Sequence, residues 1–572
     1  MLDRVDGAGD PSSRHPSATA LASADDLALL PPDPLPRLGL SQRARLAVVF
    51  LSDHAWLVTL SLATVVALVG FRGGDFPAQD YRAWVFRTHG FLIWDVNWYG
   101  GHADLGYSVL APVVGAVLGT VPTIALACVL STILFGRLVG RSSSWACVAS
   151  RLWFAVFVVG DLIIGRGPFA CSVTFALATV LMVRHDERWL ALAAAMITSL
   201  FSPLGALFLL LVAAAWLPSI GWRRAMPFAG AFTGLAIAAL LGDGGRFPFP
   251  WTAFVGQLAI VGIGFVVTPR HERNVRRALL IYGVVCVGLF AVPNPVGGNM
   301  ARFAGIVIGP AAAFFLLRNG RVRGFAVVAL PLFAFQLQPI VTAVVSAAGD
   351  LSTKPFYYQG VTRFLVAHQK VPGKVEIPFT KDHWEATYVA ESVPLARGWD
   401  RQVDLSRNAV LYSPLTPAAY EQWLHDNAVR YVALPDAPLD EGGQAEADIL
   451  RTPPSWLKQV YADQHWKIWK VADPTPMATG ADAMTQLAHN GFTLTGTHPG
   501  VTTVRLRWSS SWRVTSGDAC LAEAPGGWTT VVTFQAGVTK VSAQLSLGDS
   551  DQCTDAQLSD AGAPKPPSHT FP

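Results

Sequence analysis

Charged residues are scarce in this chain: 14% of it is Asp, Glu, Lys or Arg, where a soluble protein has about a quarter. With a mean hydropathy of +0.38, that deficit excludes an ordinary soluble enzyme of this length. Cysteine is sparse too, with 6 in 572 residues, and no Cys-x-x-Cys pair or Cys/His cluster at ligand spacing occurs. A structural zinc site therefore has no support. No cofactor is required by the sequence, and a divalent metal is compatible with it but unsupported by it. A basic-then-apolar start is also missing. Residues 1–41 are rich in Pro, Ser, Ala and Asp, and read as a disordered cytoplasmic tail instead of a cleaved signal peptide. The net charge of +4 comes partly from arginines between apolar runs. It bears on membrane orientation and gives no reason to expect nucleic acid.

Apolar runs are what the chain has in quantity. They fall at about 46–70, 109–135, 145–164, 168–183, 225–241, 251–268, 278–293, 301–317 and 324–347. Hydrocarbon cannot solvate an open backbone, so these runs predict membrane-spanning helices. Residues 189–218 are too long for one span, and Ser202-Pro203-Leu204-Gly205 breaks a helix. Two short helices that enter and return are predicted there, of the kind that line an enclosed space. The expectation is an α-helical polytopic bundle over 42–347 with about ten or eleven spans. Arginine clusters at 43/45, 137/141, 184/188, 223/224, 270–277 and 318–323 occupy alternate loops. Such loops stay cytoplasmic. The N-terminus is then inside the cell, while the long 71–108 loop and everything after about 348 are outside.

After Val345 the composition turns water-soluble. Residues 348–474 alternate strand-like and helix-like pieces, with strands at 375–378 and 429–434 and a helix at 417–427, which predicts an α/β unit. Residues 475–555 carry period-two and β-branched runs at 503–508, 528–533 and 540–547, which predict a small β-sandwich. Residues 556–572 read as a disordered tail. Cys128, Cys147, Cys171 and Cys286 lie in apolar surroundings and read as buried hydrophobes, whereas Cys520 and Cys553 stand alone in the external domain. A Cys520–Cys553 disulfide is expected.

The 71–108 loop concentrates the chemistry. Its stretch GGDFPAQDYRAWVFRTHGFLIWDVNWYGGHADLGYSVLAP holds Asp75, Asp80, Asp95, Asp104, His89, His102, Arg82 and Arg87, with Trp and Tyr residues among them. An interfacial loop also gathers aromatics. Lysine and glutamate, the usual solvating residues, are missing, however, and the glycines and rings suggest a packed, shaped surface. Rings beside carboxylates suit carbohydrate: sugar faces stack on the rings while hydroxyls donate to the acids. His89, Asp95, Trp98, Tyr99, His102 and Tyr107 are the candidate substrate contacts.

An Asp-bearing first external loop, the Trp94-Asp95-x-x-Trp98-Tyr99-Gly100-Gly101 stretch and Gly106-Tyr107-Ser108-x-Leu110-x-Pro112 resemble actinobacterial membrane proteins of the GT-C glycosyltransferase superfamily. The resemblance extends through KDHWEATYVAESVPLARGWDRQVD at 381–404, and Ser511-Trp512-Arg513 with Gly537-Val538 is similar to the accessory sandwiches of such proteins. It implies an inverting enzyme that moves a sugar from a polyprenyl-phosphate carrier in the membrane lipid to a glycan, lipid or protein acceptor on the extracytoplasmic face. It also implies a catalytic base in the first loop: Asp80, about ten residues past the first span, with Asp75 as the alternative. Arg302, at a helix start after 294–300, suits the donor phosphate, with Arg166 a second choice. His383, Trp384 and Glu385 are placed to lean over the acceptor. The chain departs from the better-known branches in one respect: its first loop has no Asp-Glu or Asp-x-Asp pair, and Asp186-Glu187 falls on a cytoplasmic loop. A non-catalytic envelope-assembly protein of the same fold is the alternative reading. A transporter or flippase fits less well, because Asp53, Arg151 and Asp161 lie toward helix ends and no internal repeat is evident.

The orientation is open to direct test in intact cells. An impermeant thiol reagent should reach cysteines placed near positions 360, 440 and 490 and miss those near 140 and 272. The reverse pattern would overturn the topology.

Overall fold

The structure is a computed structural model, and it describes residues 42–545 and 551–564. The tail at 1–41 lies outside the described residues, as do 565–572. Among the described residues, 8 helices are long and apolar enough to cross a membrane: Thr120–Val139, Trp145–Ile164, Gly167–Arg184, Pro203–Ile220, Trp222–Leu241, Arg273–Ala291, Gly297–Arg318 and Val322–Ala347. The bundle turns its large apolar side chains outward: Leu68 is 82% exposed, Leu240 81% and Leu330 76%. Water would not tolerate so large an apolar surface, and hydrocarbon requires it. Between helices, hydroxyls pair across the interior, as in Thr59–Thr132 at 2.9 Å and Ser131–Thr174 at 2.8 Å.

Several expected spans are broken. The first is two helices, Gln42–Asp53 and Ala55–Val69, bent by 79°. His54 sits at the bend in a non-helical conformation, with its Nδ1 at 3.0 Å from the Phe50 carbonyl, while Asp53 pairs with Arg151 at 2.7 Å. The run expected at 109–135 divides at Gly119, whose φ of 85° suits only glycine, into Ala111–Leu118 and Thr120–Val139. The stretch at 189–218 does break at Ser202. Its halves are unequal, though: Arg188–Phe201 has 14 residues, and Pro203–Ile220, with 18, is long enough to cross alone. Counting the bent pair as one span gives 9. The expected ten would also need one of the two shorter apolar helices, Arg188–Phe201 and Trp251–Val267, to cross, and eleven would need both.

The 71–108 segment is not an open loop. It forms a helix, Phe76–His89, and a two-stranded antiparallel ribbon, Trp94–Asp95 with His102–Ala103. The α/β unit is built on one sheet, in the order Lys374–Glu376, Val429–Pro435, Trp466–Val471, Leu457–Ala462; the first pair is parallel and the rest antiparallel. At its centre Arg397 is buried among Asp404 at 2.7 Å, Glu446 at 2.5 Å and Glu376 at 3.6 Å. One guanidinium cannot neutralise three carboxylates, and burial holds Glu376 well above the usual carboxylate range.

The sandwich packs two antiparallel sheets, ordered Ala519–Ala524, Trp528–Thr533, Gly500–Arg507, Ala478–Gly480 and Trp512–Ser516, Gly537–Ala543, Gly491–Gly496, Asp482–Ala488. The run expected to 547 stops as a strand at Ala543. Cys520 and Cys553 are disulfide-bonded with their Cα atoms 4.9 Å apart. The tail expected to be disordered after 556 holds a helix, Asp555–Asp560. Thr554 and Gln557 form a capping box there, and Leu558, 2% exposed, packs beside Cys520 and Val532.

The disulfide closes a loop of sequence separation 33. Chain-entropy reasoning gives about 3–4 kcal/mol for a loop of that size. Cys520→Ser should lower the thermal stability of the sandwich and expose the Asp555–Asp560 helix to proteolysis, with a proteolysis time course as the measurement.

Candidate functional site

The site begins where the chain leaves the first apolar helix. Gly73 and Asp75 donate backbone hydrogen bonds to the Ile163 and Ile164 carbonyls, which fixes the start of the next element. Pro77 in the first turn and Arg87 and His89 in the last favour a helix over Phe76–His89. It buries Phe76, Tyr81 and Val85. On one face, Asp80, Trp84 and Arg87 follow one another at spacings of four and three and line a cavity of about 370 Å³. Arg72, Thr120 and, from the α/β unit, Thr387, Tyr388 and Glu391 complete its wall.

Asp80 accepts a hydrogen bond from the Thr120 hydroxyl and lies 3.3 Å from Arg72. Burial lifts its pKa above the ordinary carboxylate value, with Thr120, Arg72 and Arg87 opposing the rise. Glu391 faces the same cavity, and burial, with Asp80 beside it, pushes its pKa up to about 7. Two carboxyls, both with raised pKa, thus share one space with two guanidinium groups. That is equipment for moving a proton beside an anion.

Asp75 belongs to a different cluster. Its carboxylate lies 3.3 Å from Arg302 and 3.8 Å from Arg166, and Arg166 lies 3.9 Å from Asp161. Arg302 was expected across from Asp80; it does not line that cavity and pairs with Asp75 instead. The reason is helical geometry. Five residues apart, Asp75 and Asp80 point about 140° away from each other around the axis.

The expected sugar platform is interior. Asp95 is 1% exposed, Trp98 0%, and Tyr99 and His102 are equally buried. Tyr81 donates to Asp95 at 2.6 Å, the Trp98 indole donates to Ala386 O at 2.9 Å, and Tyr99, at φ 60°, donates to Gly398 O at 2.7 Å. His102 Nδ1 lies 3.1 Å from the Asp95 carbonyl. Tyr107 lies under Arg82, whose guanidinium is 4.3 Å from its ring. His89 packs on His489 of the sandwich at 4.1 Å, and burial and that neighbour lower its pKa. Trp98 and Tyr99 bolt the segment to the α/β unit, because each ring satisfies its polar atom on the opposing backbone.

The 381–404 segment reaches the Asp80 cavity, but not through His383, Trp384 or Glu385. Trp384 is wholly buried against Tyr388. Glu385 accepts from Thr380 at 2.5 Å, and its pKa is pushed up to about 8 by burial. His383, at φ 60°, sits 3.7 Å from Glu385 and 4.0 Å from Asp440, and burial lowers its pKa to about 4. The residues that reach the cavity are Thr387, Tyr388 and Glu391, one and two turns later. Arg72, Trp84, Arg87, Thr120, Tyr388 and Glu391 were missed as site residues. The spacing of Asp80, Trp84 and Arg87 is a helical-face signal that identifies two of them; nothing local marks Glu391. Among the described residues no three His, Cys, Asp or Glu side chains group so as to hold a metal ion.

Neither a scan against known protein families nor a comparison with curated proteins finds a match to this chain.

Glu385 makes the pH dependence of stability testable. The folded protein holds its proton up to about pH 8, whereas an ordinary glutamate releases it near 4.5. Unfolding therefore releases a proton between those values, and stability falls as pH rises through that window. Thermal unfolding of purified Glu385→Gln should show a shallower decline with pH than wild type between 6.5 and 8, a range in which neutral His383 contributes no opposing change.

Proposed function

We propose that this multi-pass chain is a glycosyltransferase that moves a sugar from a polyprenyl-phosphate carrier to an acceptor hydroxyl on the extracytoplasmic face. The observation that carries the reading is Asp80. It lies in a cavity lined by both charged and apolar residues beside Thr120, the first residue of a membrane-length helix, under a roof contributed by the α/β unit. A lipid-phosphate headgroup sits at that level by necessity, since its tail stays in hydrocarbon. The arginine pattern of the loops assigns this end of the bundle to the outside.

In the reaction the acceptor oxygen attacks the anomeric carbon, the bond from that carbon to the phosphate oxygen breaks, and polyprenyl phosphate departs with the electron pair. Asp80, ionised, takes the hydroxyl proton; attack opposite the leaving group inverts the anomeric centre. Arg72 and Arg87 are the cations available to the departing phosphate within this cavity. Glu391 holds its proton to near neutrality, while Thr120, Arg72 and Arg87 favour the ionised form of Asp80 against its burial. The acidic pair that the first loop lacks is completed from the α/β unit. The Asp75–Arg302–Arg166 cluster braces the start of the helix that carries Asp80.

The test is turnover of a labelled polyprenyl-phosphate sugar by purified protein. Asp80→Asn should cost at least about a hundredfold in kcat, the usual worth of a general base. Arg72→Lys, which keeps charge but loses the planar fork, should weaken donor use more than acceptor use. Activity should fall as pH drops through the raised pKa of Asp80. If Asp75→Asn abolishes turnover while Asp80→Asn does not, the base has been misassigned. If wild-type protein consumes no such donor, the transferase reading fails and a non-catalytic assembly role replaces it.

A further inference from the structure

A second cavity, of about 450 Å³, lies between the α/β unit and the sandwich. That is within the roughly 300–1,000 Å³ of ordinary ligand sites. It meets the Asp80 cavity at one residue: Glu391 lines both. The shared wall is built from the same contacts that join the domains. Trp84, which lines the Asp80 cavity, packs at 5.5 Å on His489, which lines the other. Asn97 is held beside His489 by its bond to Ala390 O at 2.8 Å.

The lining states what kind of molecule fits. Gln369, Ser392, Thr485 and Gln486 present amides and hydroxyls, which can both donate and accept. Beside them are small apolar surfaces such as Val393 and Leu487. Lys370 is the one cation in the lining, so a polyanion finds no cluster of charge, and the polar walls would be stripped of water at a loss by a purely apolar guest. One group already lacks a partner: the Gln369 Oε1 atom is buried without a hydrogen bond among the described residues. Its amide nitrogen is committed to the Gly373 carbonyl. A chain of neutral sugars supplies hydroxyl donors and apolar ring faces together.

We infer that this groove binds a neutral oligosaccharide as an extended acceptor and presents its end past Glu391 to Asp80. The inference rests on the transferase reading for the word acceptor; the groove as a glycan site stands on its own lining. Glu391 is then a positioning residue, hydrogen-bonding the hydroxyl that enters the inner cavity.

Binding can be measured apart from catalysis. The probes are soluble oligosaccharides of mannose, arabinose, galactose and glucose, with oligogalacturonate as the anionic control. The readout is saturation-transfer NMR on full-length protein in detergent. Ser392 is exposed, so Ser392→Trp fills the groove without disturbing the interior. At least one neutral probe should bind wild type and Asp80→Asn alike and lose at least about tenfold in affinity with Ser392→Trp. Gln369→Ala, which removes an amide from the lining, should weaken the same probe. In the transfer assay Ser392→Trp should raise the acceptor KM and leave the donor KM unchanged. The inference is overturned if no neutral probe binds, if oligogalacturonate binds more tightly than all of them, or if Ser392→Trp binds as wild type does. Binding that Ser392→Trp abolishes, in a protein that consumes no donor, keeps the groove as a glycan site and removes the transferase.

Discussion

Arg82 is the contact on which the rest of the molecule is assembled. It is 1% exposed, and its guanidinium lies 2.8 Å from Asp400 of the α/β unit and 3.3 Å from Asp104 of the ribbon segment. It also stacks over Tyr107 and near Trp98. A charge so deeply buried cannot lose either acid without a penalty of several kcal/mol. The helix that bears it also bears Asp80. The position of the cavity is therefore set from the far side, by a domain that begins some three hundred residues later.

That dependence explains how the site divides. Asp75 and Asp80 are close in sequence, but the helix turns one toward Arg302 and Arg166 and the other toward Arg72 and Thr120. The Asp75 cluster is internally neutralised, with two guanidinium groups against Asp75 and Asp161. The Asp80 cavity is not closed off in this way. It keeps room beside its charges, and room is what a reacting molecule needs.

Much of the scaffold was legible because membranes and sheets impose strict periodicities. The apolar runs, the change of composition after Val345 and the β-branched runs each follow from a backbone that must satisfy its own hydrogen bonds. The helix breaks were harder. Gly119 and His54 act through φ and ψ, which hydropathy does not record, although the Ser202-Pro203 break was written plainly. The Asp555–Asp560 helix had a readable Thr-x-x-Gln cap inside a segment whose composition suggested disorder. In the site, Asp80 was legible from its place after the first span. Trp98, Tyr99 and His102 misled because aromatic residues rich in polar atoms serve a domain joint as well as they serve a sugar. Glu391 was invisible: only tertiary structure brings it beside Asp80.

The buried joint also restricts how anything can arrive. Rings of the 94–107 segment are sealed against the α/β unit, and Asp243, accepting from Ala103 N and Arg407 at 2.7 Å each, adds a further weld. A cap fastened this way does not swing aside, since opening it would cost Arg82 its pairing with Asp400, Asp95 its contact with His489 and Asp243 its pairing with Arg407 at once. Whatever reaches the cavity must then come through openings that the fixed wall already has, among them the seam between the two C-terminal domains. The joint thus makes that seam a fixed port and not a hinge.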